Sequence, residues 1–217
     1  MKPLLSPRWL LYTQASAAIA WGALALQLYL VLWVRWQEQA SLVGGLVHFF
    51  SYFTILTNTA VATTLSCALS RRRSLLCDFF RQPVTVAGVA TSIAVVGIAY
   101  SLLLRDVWQP QGLQWLANEC LHDILPVVFG VYWWACVPKG YLRAWHVLAW
   151  AVYPFAYFLW IMLRGQVIGV YPYPFVDVDA LGWGQVLINA CAILLGFAAV
   201  ASAFVLLDRR LARAAKA

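Results

Sequence analysis

"FFSYFTILTNT", residues 49–59, places hydroxyl and amide side chains inside a long apolar run of the chain. These polar residues are Ser51, Thr54, Thr57, Asn58 and Thr59. At about 100° per residue, Ser51, Thr54 and Asn58 fall within an arc of about 60°, so a continuous helix carries them as one stripe. Polar groups are costly in lipid, and the stripe therefore predicts a helix that faces protein or water on this side.

The composition of the whole chain indicates an integral membrane protein. Of 217 residues, 64% are hydrophobic and 11% are charged, whereas a soluble domain is about half apolar and about one quarter charged. A helix needs roughly 20 residues to cross a ~30 Å hydrocarbon core. The apolar stretches predict an all-α bundle of six transmembrane helices in a single domain, residues 1–217, with spans at 9–34, 46–69, 84–104, 115–137, 143–163 and 184–207.

The basic residues predict the orientation of this bundle, because cytoplasmic loops retain Lys and Arg. Twelve of the 15 lie at the two termini and in the second and fourth loops, and the other three are Arg35, Arg105 and Arg164. We therefore expect both termini in the cytoplasm and the protein in the cell inner (plasma) membrane. The net charge of +7 then reflects topology and contact with membrane lipids, and no nucleic acid partner is expected.

The five cysteines occur singly and without C-x-x-C spacing: Cys67, Cys77, Cys120, Cys136 and Cys191. This pattern predicts neither a metal cluster nor a disulfide framework. We interpret these residues as small apolar side chains at helix interfaces. No cofactor and no metal ion is predicted.

A second polar cluster opens the fourth predicted span, "WLANECLHDILP", residues 115–126. Asn118 and His122 are i,i+4 neighbours on one helix face, and Glu119 and Asp123 lie beside them. Pro126 lacks the N–H that would bond the His122 carbonyl, so a kink or a water is expected at the histidine.

The two polar clusters are expected at similar depth. At about 1.5 Å per residue from the predicted outer boundary, Thr54 lies ~12 Å and His122 ~9 to 10 Å into the membrane. A hydroxyl becomes a nucleophile when a neighbouring base takes its proton, so the two residues form a workable nucleophile and base if their helices touch. The alternative is that these residues only join helices, as Ser, Thr and Asn often do in membranes.

One predicted outer loop is long, residues 164–183, "RGQVIGVYPYPFVDVDALGW". Pro172 and Pro174 forbid a regular helix there. Two interpretations stay open. The loop is an aromatic belt at the membrane surface, or it is a lid over a cavity that opens outward.

Three stretches, "SYFTILTN" (51–58), "LHDILP" (121–126) and "VYPYPFVDV" (170–178), resemble motifs of the bacterial six-transmembrane family called Pr-six-Pr. That family is distantly similar to the eukaryotic androgen-induced membrane proteins. The latter are threonine hydrolases that cleave fatty acid esters of hydroxy fatty acids, with a Thr on an early helix and a His on a middle one.

The resemblance implies a fatty acyl ester hydrolase that works in an outward-facing pocket within the membrane. Thr54 corresponds to the nucleophile and His122 to the base, whereas Ser51 and Thr57 are less suited to attack. Tyr173, with Pro174 and Phe175, corresponds to the family's YPF motif. The expected partners are membrane lipids and a fatty acyl ester substrate.

Further residues near the pair are candidates for supporting roles. Asn58 or Asn118 would donate a hydrogen bond to the oxyanion, and Glu119 or Asp123 would orient the imidazole of the base. Ser51 and Tyr173 are additional candidates for contact with the substrate or the oxyanion.

Non-enzymatic functions are the alternative. His48 and His122 both lie near the outer ends of their predicted helices, and two neutral imidazoles could ligate haem or a metal ion. A transporter is the other possibility, since polar stripes also line transport pathways.

Overall fold

The computed structural model describes residues 6–215, and this part of the chain is helical, with no β-strand. Two π turns, Tyr100–Leu104 and Cys120–Ile124, and a short 3₁₀ helix, Pro174–Val176, interrupt or connect the helices. The α-helices are α1 (Pro7–Gln37), α2 (Leu42–Phe49), α3 (Phe53–Leu69), α4 (Leu75–Phe80), α5 (Pro83–Ala99), α6 (Gly112–Glu119), α7 (Leu125–Cys136), α8 (His146–Ile168) and α9 (Val178–Ala214).

Several of these helices are long and apolar enough to cross a membrane. Four segments meet this condition: α1, α5 with its π turn, α8 and α9. The pair α2 and α3, which is bent by 76°, makes a fifth if it is one span. Within residues 6–215 the structure thus supports four to five candidate spans. The segment 112–136, which contains nearly all of the predicted fourth span 115–137, is continuous helix but is not among the candidates.

The prediction of one straight helix over 46–69 is wrong. α2 ends at Phe49, α3 begins at Phe53, and Tyr52 between them has an extended backbone. Ser51 lies in this break, where its hydroxyl donates to the Val47 carbonyl. This local bond competes with continuation of the helix. The predicted stripe therefore keeps Thr54 and Asn58 but loses Ser51. The depth of Thr54 in the membrane, which is counted along one helix from residue 46, does not apply to a residue of α3.

The main core lies where α1, α3, α5 and α7 pack together. Small residues let these helices approach closely, as is usual in membrane bundles, and four fully buried examples are Ala20, Ala62, Ala87 and Ala90. A second, smaller cluster joins α8, α9 and the 3₁₀ helix through Ile161, Met162, Val176, Val178 and Val186. Polar side chains near the interface of these two clusters form the candidate site described below.

The long predicted loop is shorter than expected. α8 continues to Ile168 and ends at Gly169, whose positive φ of 67° favours glycine, and α9 begins at Val178. The irregular segment between the two helices is residues 169–177, which we call the Tyr-Pro segment. One further residue of the predicted loop, Gly182, has a non-helical backbone (φ 73°, ψ 158°) and kinks α9 near its start. The Tyr-Pro segment folds back onto α8, where the ring of Tyr171 lies so close to Gly165 that a Cβ at this position would overlap the ring.

The prediction for the cysteines is wrong for one pair. Cys67 and Cys77 form a disulfide between the end of α3 and α4. The chain turns back after α3, and the Arg81 side chain holds this turn by donating to the carbonyl oxygens of Cys67 and Arg72. This turn brings together Cys67 and Cys77, which are ten positions apart in the sequence. Their spacing alone does not indicate that they pair. Cys120, Cys136 and Cys191 are free.

Candidate functional site

Thr54 and His122, from separate helical segments, are in hydrogen-bonding contact. Thr54 lies in the first turn of α3 and is 8% exposed, and His122 lies in the second π turn. The Thr54 Oγ1 and His122 Nε2 atoms are 3.3 Å apart. The structure thus brings together the two side chains that the sequence singled out as nucleophile and base.

The hydrogen bond of the second ring nitrogen, Nδ1, determines the tautomer of the neutral His122 ring. His122 Nδ1 lies 3.0 Å from the backbone carbonyl oxygen of Asn118. A carbonyl oxygen only accepts hydrogen bonds, so Nδ1 is the protonated nitrogen of the neutral ring. The lone pair of Nε2 then faces Thr54, and the threonine hydroxyl donates to it.

The predicted role of the two carboxylates is contradicted, because both nitrogens of His122 are occupied by other groups. Asp123 instead pairs with Arg105, whose guanidinium also lies over the Tyr100 ring. Glu119 is the last residue of α6 and is partly exposed. The carbonyl of Asn118, rather than either carboxylate, orients the imidazole.

The second π turn explains how the backbone accommodates Pro126. The Leu125 N–H bonds to the Cys120 carbonyl, so the Leu121 carbonyl loses the donor that it would have in an α-helix. The His122 carbonyl also lacks its usual donor because Pro126 has no N–H. The irregularity expected at the histidine takes the form of this wide turn.

Asn58 satisfies the released Leu121 carbonyl. Its side-chain nitrogen donates to the carbonyl oxygens of Thr54, at 2.9 Å, and Leu121, at 3.1 Å. Asn58 is fully buried, and its Oδ1 has no partner within residues 6–215. Both amide hydrogens are therefore in use, which contradicts the predicted role of Asn58 as an oxyanion donor.

Asn118 has a structural role on the other side of the imidazole. Its side-chain nitrogen donates to the Tyr100 hydroxyl at 2.6 Å, and the Tyr100 ring stacks on His122 with ring centres 4.3 Å apart. Asn118 therefore positions His122 twice, through its own carbonyl and through Tyr100. One of the two amide hydrogens of Asn118 is thereby engaged, and its predicted donation to the oxyanion stays a prediction.

Tyr173 brings the Tyr-Pro segment onto the site. The Thr54 amide donates to the Tyr173 hydroxyl over 3.4 Å. This amide is available because the first N–H groups of a helix have no partner within the helix. Burial raises the pKa of the Tyr173 phenol, so the phenol stays protonated at neutral pH and remains a donor. The segment thus covers Thr54, and Phe175 stacks on the Tyr173 ring from within the same segment.

Neighbouring hydroxyl groups are engaged elsewhere. The Thr57 hydroxyl contacts the Tyr153 hydroxyl at 3.1 Å, and the Ser51 hydroxyl donates to the Val47 carbonyl. The Ser51 carbonyl in turn accepts a hydrogen bond from Tyr157 at 2.8 Å. Thr59 donates to the Ile55 carbonyl of its own helix. Among these residues, Thr54 is the one whose hydroxyl meets a histidine.

Two cavities meet at the Thr54 and His122 pair. One has a volume of about 240 Å³ and is lined mainly by apolar side chains of α5, α8 and α9, including Val95, Phe158, Leu194 and Phe197. The other has a volume of about 390 Å³, lies toward α1, α2 and α6, and is lined in part by Gln27, His48, Gln114 and Asn118. Both are also lined by Thr54, Tyr100, His122 and Tyr173.

His48 and His122 line the larger cavity together, as a two-histidine site would require. However, His48 Nε2 is 3.2 Å from the Tyr52 hydroxyl, and both nitrogens of His122 are engaged. In the described part of the chain no group of three or more His, Cys, Asp or Glu residues could hold a metal ion. Ligation by the two histidines would require these hydrogen bonds to break.

Some residues of the site were not found from the sequence. Tyr100 stacks on the His122 imidazole. The sequence feature that could have indicated it is a tyrosine near the outer end of an otherwise apolar span. Gln27 and Gln114 bond to each other at 2.8 Å across α1 and α6. Gln114 lies next to the expected span boundary at residue 115, where the sequence offers little to separate it from an ordinary surface residue. Gln27 is a single polar residue within the expected span 9–34, and its own position gives no sign of its partner.

The long apolar helices are compatible with an integral membrane protein, and its site is a buried Thr–His pair between two cavities. Comparisons of the chain with protein-family models, curated proteins and solved structures find no match. The function therefore has to be argued from the site itself.

We expect Asn58→Leu to lower the free energy of unfolding by about 1–3 kcal/mol, since it leaves the buried Leu121 carbonyl without a donor. Thermal unfolding of the purified protein in detergent measures the change. Thr59→Val is the matched control on α3, because the Thr59 hydroxyl bonds only within its own helix. Equal loss of stability in the two variants would contradict the role assigned to Asn58.

Proposed function

We propose that this protein hydrolyses fatty acyl esters, with Thr54 as nucleophile and His122 as general base. The observation that carries the proposal is the 3.3 Å contact between Thr54 Oγ1 and His122 Nε2 where an apolar cavity meets a more polar one. The orientation of His122 by the Asn118 carbonyl supports it, because the unprotonated nitrogen faces the hydroxyl.

The reaction proceeds in two steps. His122 Nε2 takes the Thr54 hydroxyl proton as Oγ1 attacks the ester carbonyl carbon. The bond to the alcohol oxygen breaks, and the alcohol leaves with the proton from His122, which gives an acyl-threonine. A water then attacks this ester and gives its proton to His122. The fatty acid leaves, and the proton returns to Thr54.

The Thr54 amide and the Tyr173 hydroxyl stabilise the oxyanion. Both groups lie beside the attacking oxygen, and they are 3.4 Å from each other. Thr54 also lies at the N-terminus of α3, where the helix dipole favours negative charge. The Asn58 side chain is not among these donors, because both of its amide hydrogens are engaged elsewhere.

A fatty acyl chain suits the apolar cavity. Its lining includes Phe155 and Leu187, each about half exposed on the outside of the bundle, where lipid would surround a membrane protein. An acyl chain can therefore pass from the membrane into the cavity without crossing a polar barrier, and only the ester group needs polar contacts. The resemblance of the three sequence stretches to Pr-six-Pr and to the androgen-induced threonine hydrolases supports the same substrate class.

The proposal includes six spans and cytoplasmic termini in the plasma membrane. The segment 112–136 supplies the remaining span, because it is continuous helix and its polar residues Asn118 and His122 contact other side chains of the bundle. The excess of Lys and Arg at the termini supports the orientation.

We expect Thr54→Ala and His122→Ala to lower kcat for a fatty acyl ester by at least about 1,000-fold, as loss of a nucleophile or its base does in other hydrolases. The assay uses purified protein in detergent, and a fluorophosphonate should label Thr54. Thr59→Ala is the control on the same helix and should keep the wild-type rate. Full activity in a folded Thr54→Ala variant would remove Thr54 from the mechanism.

Tyr173→Phe should lower kcat by about 100-fold and change KM little, because it removes one of two donors to the oxyanion. Steady-state kinetics on the same ester measures both constants. Tyr171→Phe is the matched control, since the Tyr171 hydroxyl contacts Gln166 at the surface. A fall of similar size in both variants would indicate a general effect on the Tyr-Pro segment.

The topology has its own test in a bacterial inner membrane. Alkaline phosphatase, which is active only outside the cytoplasm, should be active when fused after residue 111 or residue 169. A fluorescent protein fused at the C-terminus should fluoresce, as it does in the cytoplasm. An active phosphatase fused after residue 140 would contradict the six-span arrangement.

A further inference from the structure

The larger of the two cavities contains hydrogen-bonding groups that the hydrolytic reaction does not use. Gln114 Nε2 donates to Gln27 Oε1 at 2.8 Å. This single bond leaves the Gln27 amide nitrogen and the Gln114 carbonyl oxygen without a partner in residues 6–215. Both side chains line the cavity and are partly buried. One site thus offers a donor and an acceptor a short distance apart.

The cavity also contains no permanent charge. Its other polar lining residues are His48, Tyr52, Asn118 and the shared site residues, and no Lys, Arg, Asp or Glu of the described chain is among the lining residues. An ionised ligand would lose its hydration there without gaining an opposite charge, which is costly. A neutral ligand with hydroxyl groups can instead both donate to and accept from the two glutamines.

The position of the cavity relates these groups to the ester. The apolar cavity extends from Thr54 toward α8 and α9, whereas the larger cavity extends from Thr54 toward α1, α2 and α6. An ester carbonyl at Thr54 has its acyl chain on one side and its alcohol portion on the other. The cavity that is lined mainly by apolar side chains suits the chain, and the cavity with the paired glutamines suits a polar alcohol.

We propose that the cavity at Gln27 and Gln114 binds the alcohol portion of the substrate, and that this portion is uncharged and carries free hydroxyl groups, as a glycerol ester does. The inference rests on the proposed hydrolysis at Thr54. In this proposal the two glutamines determine specificity, because they contact the alcohol portion and not the ester carbonyl that Thr54 attacks.

The test compares two esters of the same fatty acid, a 1-acylglycerol and the propyl ester, which differ only in two hydroxyl groups. The wild-type protein should show a kcat/KM at least about tenfold higher for the acylglycerol, mainly through KM, which corresponds to about 1.4 kcal/mol. In Gln27→Met/Gln114→Met this ratio should fall toward one. Gln37→Met, the same change at an exposed position of α1, should preserve the ratio.

A ratio near one in the wild type, or a ratio unchanged in the double variant, would overturn the inference. Higher kcat/KM for an acyl ester with a phosphate or carboxylate on its alcohol portion would also overturn it. If the double variant does not fold, Gln114→Met alone should lower the ratio, and an unchanged ratio there has the same meaning.

A binding measurement separates this inference from the proposed hydrolysis. Calorimetry in detergent compares a 1-O-alkylglycerol, an ether that cannot be hydrolysed, with the alkyl propyl ether. If the protein cleaves neither ester, the hydrolytic proposal fails. The cavity assignment still stands if the alkylglycerol binds at least about tenfold more tightly and the double variant abolishes this difference. Equal binding of the two ethers would overturn it.

Discussion

The hydrogen bonds donated by the Asn58 side chain link the helix of Thr54 to the helix of His122. One bond goes to the Thr54 carbonyl on α3, and the other goes to the Leu121 carbonyl in the second π turn. No water is available inside a lipid bilayer to pair with a free carbonyl, so a released carbonyl has to be bonded by the protein. A single amide therefore satisfies the wide turn and sets the separation between nucleophile and base.

Two departures from regular helix geometry make the site possible. In one continuous helix the Thr54 amide would bond to the Phe50 carbonyl, and no donor would remain beside the hydroxyl. The break at residues 50–52 prevents this bond, and the Tyr157 hydroxyl pairs with the Ser51 carbonyl in the break. On the segment of His122, the second π turn releases the Leu121 carbonyl, which then accepts the hydrogen bond from Asn58. Irregular backbone of this kind often occurs at functional sites, and here each irregularity provides a polar group that a regular helix would use internally.

The sequence predicted the helical class and the residues that meet, but it did not predict how the supporting groups are arranged. Thr54 and His122 were identifiable because polar side chains are rare in apolar spans. The break at Ser51 was missed, because helical spacing assumes a straight axis. The roles of Glu119 and Asp123 were also wrong, since adjacency along a helix does not show that a side chain reaches the imidazole. The Cys67–Cys77 pair depends on how the chain turns after α3, and spacing carries no such information.

The environment of His122 bears on the proposed reaction, which transiently forms an imidazolium within the bundle. The Asn118 carbonyl accepts from Nδ1, and this bond strengthens when the ring becomes charged. The face of Tyr100, stacked on the imidazole, also favours a cation. Meanwhile Asp123 is paired with Arg105, so the pair adds little net charge to the site. The forming imidazolium is thus stabilised by a carbonyl and an aromatic ring, together with the oxyanion that forms beside it. Opposite charges that appear together and disappear together suit an apolar interior, because the net charge of the site does not change during the reaction.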